Sequence, residues 1–140
     1  MKSLPVLVLA LAALPALADG SKIQLGGYCP VAYLNAGKAL PGDAKVTSEV
    51  DGKTYYLVNE ATKKVFDAEP KKFTNAIQYQ AWCATGLAMG KKIATDPALF
   101  SVLDGKVYFF SSKGAKDTFD KMPKDFVTKA DAQAKKLLVD

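Results

Sequence analysis

The sequence predicts an α+β domain made of two copies of a β-hairpin followed by a short helix, closed by an amphipathic C-terminal helix. Three observations predict it. The chain repeats itself at an offset of 53 residues, with ten identities in the 23 positions that align residues 51–73 with 104–126. Each copy carries Asp-Gly between two apolar runs, the strongest short-range hairpin signal. Each hairpin then runs into a helix-capping residue, with proline about eleven positions further on.

In copy one, Val46 to Val50 and Tyr55 onward flank Asp51-Gly52; in copy two, Leu99 to Leu103 and Tyr108 onward flank Asp104-Gly105. Both central positions of a type I′ turn need positive φ, which Asp and Gly tolerate. Asn59 and Ser111-Ser112 accept backbone N–H bonds at helix starts, so short helices are expected at about 60–68 and 113–121. Pro70 and Pro123 are expected to stop them, with Phe73 and Phe126 folding back as core anchors. The repeat continues upstream more faintly, giving copies of about 27–73 and 81–126. Gly37-Lys38 aligns with Gly90-Lys91, and Cys29 and Cys83 fall at nearly equivalent places. A pseudo-two-fold packing of the copies would make the cysteines face each other. Val127, Ala130, Ala134, Leu137 and Leu138 share one face of the terminal helix.

Residues 1–18 read as a signal peptide. Lys2 is followed by an apolar run from Leu4 to Leu14 and an Ala16-Leu17-Ala18 cleavage site, with Asp19 as the new N-terminus. Residues 19–140 then form one domain, large enough for its own core. A periplasmic or secreted location follows, with no membrane insertion after cleavage. At 49% hydrophobic and 24% charged, the composition is that of a globular protein. All 19 basic residues are lysine and there is no histidine, so imidazole catalysis is excluded and the guanidinium fork used for phosphate and base recognition is missing. Scattered lysines speak for a solvated surface and against a nucleic-acid groove. Carboxylate pairs such as Asp67/Glu69 and Asp117/Asp120 read as the solvent face of the short helices, so no catalytic and no cofactor-binding residues are assigned.

The remaining chemistry lies with Cys29 and Cys83. An even count in an oxidising compartment favours a disulfide. The alternative is a soft-metal site for Cu(I), using Cys29, Cys83 and the thioether of Met89, with Met122 as a further soft donor. Tyr28, Tyr79 and Trp82 flank the cysteines and could line a shallow pocket. Another exported protein is the alternative partner to a metal ion.

Three stretches carry a resemblance to the YHS-domain family of small exported bacterial proteins: residues 25–34 with Gly37-Lys38, Asp51-Gly-Lys-x-Tyr55 through Phe66 and Pro70, and Gln78-Tyr79 through Cys83 to Asp96-Pro97. The family signature is Tyr-His-Ser, but here Tyr56 and Phe109 stand at the histidine. Val58 and Lys64 occupy places where metal-handling relatives have thiols. A Cys29 stands where exported relatives usually carry Asp, whereas Cys83 matches a cysteine often seen among them. Taken together, these readings lead to the expectation of a non-enzymatic exported domain with metal binding or partner binding as its work.

Overall fold

The computed structural model describes residues 22–139; the expected signal peptide lies outside the described residues. The fold is α+β, with elements in the order α1 (Pro30–Asn35), β1 (Asp43–Val50), β2 (Lys53–Leu57), α2 (Glu60–Ala68), α3 (Pro70–Thr74), α4 (Ala84–Ala88), β3 (Asp96–Leu103), β4 (Lys106–Phe110), α5 (Lys113–Lys121) and α6 (Pro123–Leu137). The two hairpins, β1–β2 and β3–β4, are separate antiparallel sheets.

The repeat holds at the level of backbone geometry. Asp51 and Gly52 have φ of 51° and 77°, and Asp104 and Gly105 have 51° and 74°, as a type I′ turn requires. Both registers start beside the turn and slip at equivalent points, between Asp43 and Thr47 in β1 and between Asp96 and Phe100 in β3. Asn59 and Ser112 cap α2 and α5 by accepting from the N–H groups of Thr62 and Ala115. The prolines do more than stop these helices. Pro70 and Pro123 are the first residues of α3 and α6, where the missing N–H costs nothing. The C-terminal helix accordingly begins at Pro123, four residues ahead of the apolar stripe that predicted it.

An isolated two-stranded hairpin is marginal in water, so each hairpin depends on its helices. Copy one buries Cys29, Tyr55, Leu57, Phe66 and Phe73 together. Copy two does the same with Cys83, Tyr108, Phe110 and Phe119, with Phe126 packed against them. Polar clasps repeat as faithfully. Ser48 donates to Asp67 at 2.5 Å and Lys63 donates to both, tying α2 to β1; Ser101, Asp120 and Lys116 do the same between β3 and α5.

The halves differ at their junction. In β4, Tyr108 and Phe110 face their own helices, while Val107 and Phe109 enter a third cluster with Tyr33 and Ala76. That burial on both faces is why Val107 to Phe110 are all covered although the hairpin has only two strands. The Tyr33 ring stands edge-on to Phe100 and Phe109, at 4.9 and 5.0 Å, and its hydroxyl donates to the Pro97 carbonyl at 2.7 Å. Burial, reinforced by nearby Tyr28, Cys29 and Asp96, holds that phenol far above the usual tyrosine range. Copy two has α6 along α4, whereas the shorter α3 of copy one ends at Thr74 and the chain crosses to β4, where Val107 N–H donates to Ala76.

Candidate functional site

Repeat symmetry places the two cysteines at equivalent points of two separate cores. Each is fully buried, and each is the residue before a short helix, Cys29 ahead of α1 and Cys83 ahead of α4. They belong to different clusters and both are free thiols. Among the described residues there is no group of three or more His, Cys, Asp or Glu side chains able to hold a metal. The disulfide and the Cu(I) site expected from the sequence are therefore withdrawn. The expectation failed because it put equivalent positions at a shared centre, when equivalence only repeats them within each half. Met89 and Met122 do not join the thiols in the core; they are 67% and 55% exposed.

Cys83 has a structural task instead. Its sulfur accepts from the backbone N–H groups of Gly86 and Ser111, both at 3.4 Å, so it caps α4 and fastens that helix to the end of β4. Cys29 makes no such side-chain bond. Its backbone N–H donates to Leu40, and its side chain fills the core of copy one.

The aromatic residues beside the cysteines have different partners. Tyr28 packs in the cluster between the halves. Tyr79 packs against Tyr108 and donates to the Asp131 carboxylate of α6 at 2.7 Å; burial first, then that carboxylate, raises its pKa strongly. Trp82 lies under the Lys92 ammonium at 4.8 Å, a surface cation–π contact.

The opening with the most extensive apolar lining among the described residues lies elsewhere, between α1 and α2 of copy one. It holds about 310 Å³ and is lined by Val31, Ala32, Ala36 and Leu40 on one side and by Val58, Ala61 and Val65 on the other, with Asn35 and Thr62 as polar edges. Val65, on its α2 side, is 45% exposed. Copy two is built from different residues at the equivalent place. There, Thr85 stands for Val31 and donates its hydroxyl to the Ala115 carbonyl of α5 at 2.7 Å, drawing α4 and α5 together. Gly86 stands for Ala32 and is in close contact with Ile93, and a methyl group on it would come within 3.0 Å. Gly114 and Ala115 stand for Ala61 and Thr62. Copy one has no such hydroxyl bond between its helices and carries larger side chains at three of these positions, Ala32, Ala61 and Thr62.

The groove lining contains no carboxylate, amine or thiol. Its one hydroxyl, on Thr62, is donated to the Asn59 cap. Apolar contact, with an exposed amide at Asn35 for orientation, is what this surface offers. Sequence reasoning missed it because the signal is a difference between the copies, Val31 for Thr85 and Val65 for Thr118, which a search for identities passes over. No protein-family model, curated protein or solved structure matches the chain.

Proposed function

We propose that this chain is a YHS-like, non-enzymatic binding domain, working outside the cytoplasm, that receives one or two apolar side chains of a peptide or protein partner in the α1–α2 groove. The observation that carries this reading is the groove's apolar lining in copy one, at positions where copy two has a hydroxyl bond between its helices and smaller residues. Its size supports a side-chain ligand, since about 310 Å³ stands at the lower edge of the range for sites that enclose whole small molecules. The absence of a nucleophile or acid–base pair among the lining residues supports binding without chemistry.

N-acetyl-leucinamide is the direct probe. Titration should shift the methyl resonances of Val31, Leu40, Val58 and Val65 saturably, and Ala61→Phe, which fills the groove, should abolish the response. Absence of saturation in the wild-type protein, or an unchanged response in Ala61→Phe, would overturn the proposal.

A further inference from the structure

A second site is carried by the junction of the two halves, independently of the groove. Residues 25–27 and 79–81 are equivalent turns in left-handed backbone conformation. In copy one this conformation is eased by glycine at two of three positions, Leu25-Gly26-Gly27. In copy two Tyr79, Gln80 and Ala81 adopt it without any glycine, at φ of 56°, 54° and 66°. Left-handed conformation costs about 1–2 kcal/mol per non-glycine residue, and such strain collects where a chain must present a particular wall to a ligand.

That wall borders a polar cleft. Two adjoining hollows of about 130 and 150 Å³ share Lys53, Tyr55 and Thr74; one reaches into the junction to Gln24, Gln80 and Ala81, and the other ends at Asn75 and the Asp51–Lys71 ion pair. The Asp51 charge is already satisfied there by Lys71. The Lys53 ammonium, the Tyr55 and Thr74 hydroxyls and the Gln80 amide have no hydrogen-bond partner among the described residues. Each of these four groups can donate, and Lys53, although it also feels the Asp51 charge, forms no ion pair among the described residues.

Copy two supplies an internal control. Its equivalent cleft keeps Asp104, Lys106, Tyr108 and Lys124, but Val127 replaces Thr74 and the Thr128 hydroxyl is donated to a backbone carbonyl. Asp104 makes no ion pair among the described residues, and two carboxylates, Asp131 and Asp104, act on Tyr108 where Asp51 alone acts on Tyr55. That cleft is the poorer host for an anion.

We infer that the junction cleft of copy one binds a small organic anion, one carboxylate or phosphoryl group held by Lys53 and Tyr55, with neighbouring hydroxyls reaching Thr74 and Gln80. The test is a ¹H–¹⁵N titration of the whole protein with sodium glycolate and, separately, with inorganic phosphate, at constant ionic strength set with sodium chloride. Saturable shifts are expected at residues 24–25, 53–55, 74–75 and 80–81, with a Kd in the millimolar range. Lys53→Met should weaken binding about ten-fold and Tyr55→Phe several-fold, while Lys106→Met, the same change in copy two, leaves it unaltered. Both lysines are exposed, and the dispersion of the same spectra reports that each variant is folded. Saturation by glycolate alone assigns a carboxylate ligand and by phosphate alone a phosphoryl ligand. Saturation by neither, or a Lys53→Met protein that binds like wild type or like Lys106→Met, would overturn the inference.

Discussion

Replacing the two cysteines in turn should reverse the ranking of alanine and serine between the two sites. At Cys83 the sulfur is a fully buried acceptor of two backbone N–H groups, from Gly86 and Ser111. Cys83→Ala removes the cap on the Gly86 N–H, worth about 1 kcal/mol, and leaves the part-buried Ser111 N–H without its acceptor. Buried donors without partners cost about 1–3 kcal/mol each, with the lower end fitting bonds to a weak sulfur acceptor. The sum is a loss of about 2–4 kcal/mol. Cys83→Ser retains an acceptor of a type that helix starts favour, and should recover half of that loss or more. Cys29 is equally buried but accepts nothing. There, Cys29→Ala removes only a small apolar volume, costing about 1 kcal/mol, whereas Cys29→Ser buries a hydroxyl without a partner and should be worse by about 1–2 kcal/mol. Urea unfolding of the four variants, followed by circular dichroism, measures these differences at constant m-value. The same ranking at both positions would refute the assignment of Cys83 as a cap and Cys29 as filler. A reductant should leave the wild-type midpoint unchanged, since both thiols are free.

The repeated clasps make acid stability testable. Hydrogen bonds from Lys63 and then Ser48 hold the Asp67 carboxyl below its usual range. At Asp120 burial pushes the other way and is overridden by Lys116 and Ser101. A carboxyl whose folded pKa is depressed stabilises the fold above its unfolded value, near 4, and that contribution disappears as pH falls through the folded value. Exposure limits each clasp to less than about 1 kcal/mol. Wild type should therefore lose up to about 1–2 kcal/mol more than Asp67→Asn/Asp120→Asn between pH 5 and pH 2 in urea titrations; parallel curves would show the clasps to be energetically idle. Gly42→Ala should be severe, because a methyl group there would come within 2.5 Å of the Tyr56 backbone, while the Gly42 N–H is bonded to Gly27. A loss of about 2–3 kcal/mol or more is expected, and thermal unfolding close to wild type would refute the close approach.

The parts of the fold legible in the sequence are those where local chemistry and tertiary packing agree. Asp-Gly dictates a turn by its own dihedral preferences, and Asn59 and Ser112 cap helices by bonds spanning three residues. Such signals survive in both copies and can be read twice. The left-handed turn of copy two was illegible because Tyr79-Gln80-Ala81 has no local reason to adopt it. Only the packing of the junction imposes that conformation, and the glycines at the corresponding positions of copy one hint at it only once the alignment is trusted. Pro70 and Pro123 were read for what they prevent, although a proline after a helix can equally begin the next.

The functional reading went astray at the cysteines for a related reason. An internal repeat states which positions share an environment, and says nothing about whether the two environments touch. Contact between equivalent residues requires a symmetry axis through them, and here each copy closes its own aromatic core around its own thiol while the halves join through Tyr33, Val107 and Phe109. Function in a duplicated fold is then better sought where the copies differ. Identical positions such as Phe66/Phe119 and the Ser–Asp–Lys clasps are accounted for by packing and by helix attachment. Val31 for Thr85 lines a groove, and Thr74 for Val127 leaves a hydroxyl in a cleft. Installing the copy-two residues with Val31→Thr/Ala32→Gly/Ala61→Gly/Thr62→Ala should remove the N-acetyl-leucinamide response while leaving glycolate binding intact, because the two sites are lined by different residues. Loss of both responses together in a folded variant would mean that they report one coupled property of copy one, and the separation of the two sites would fail.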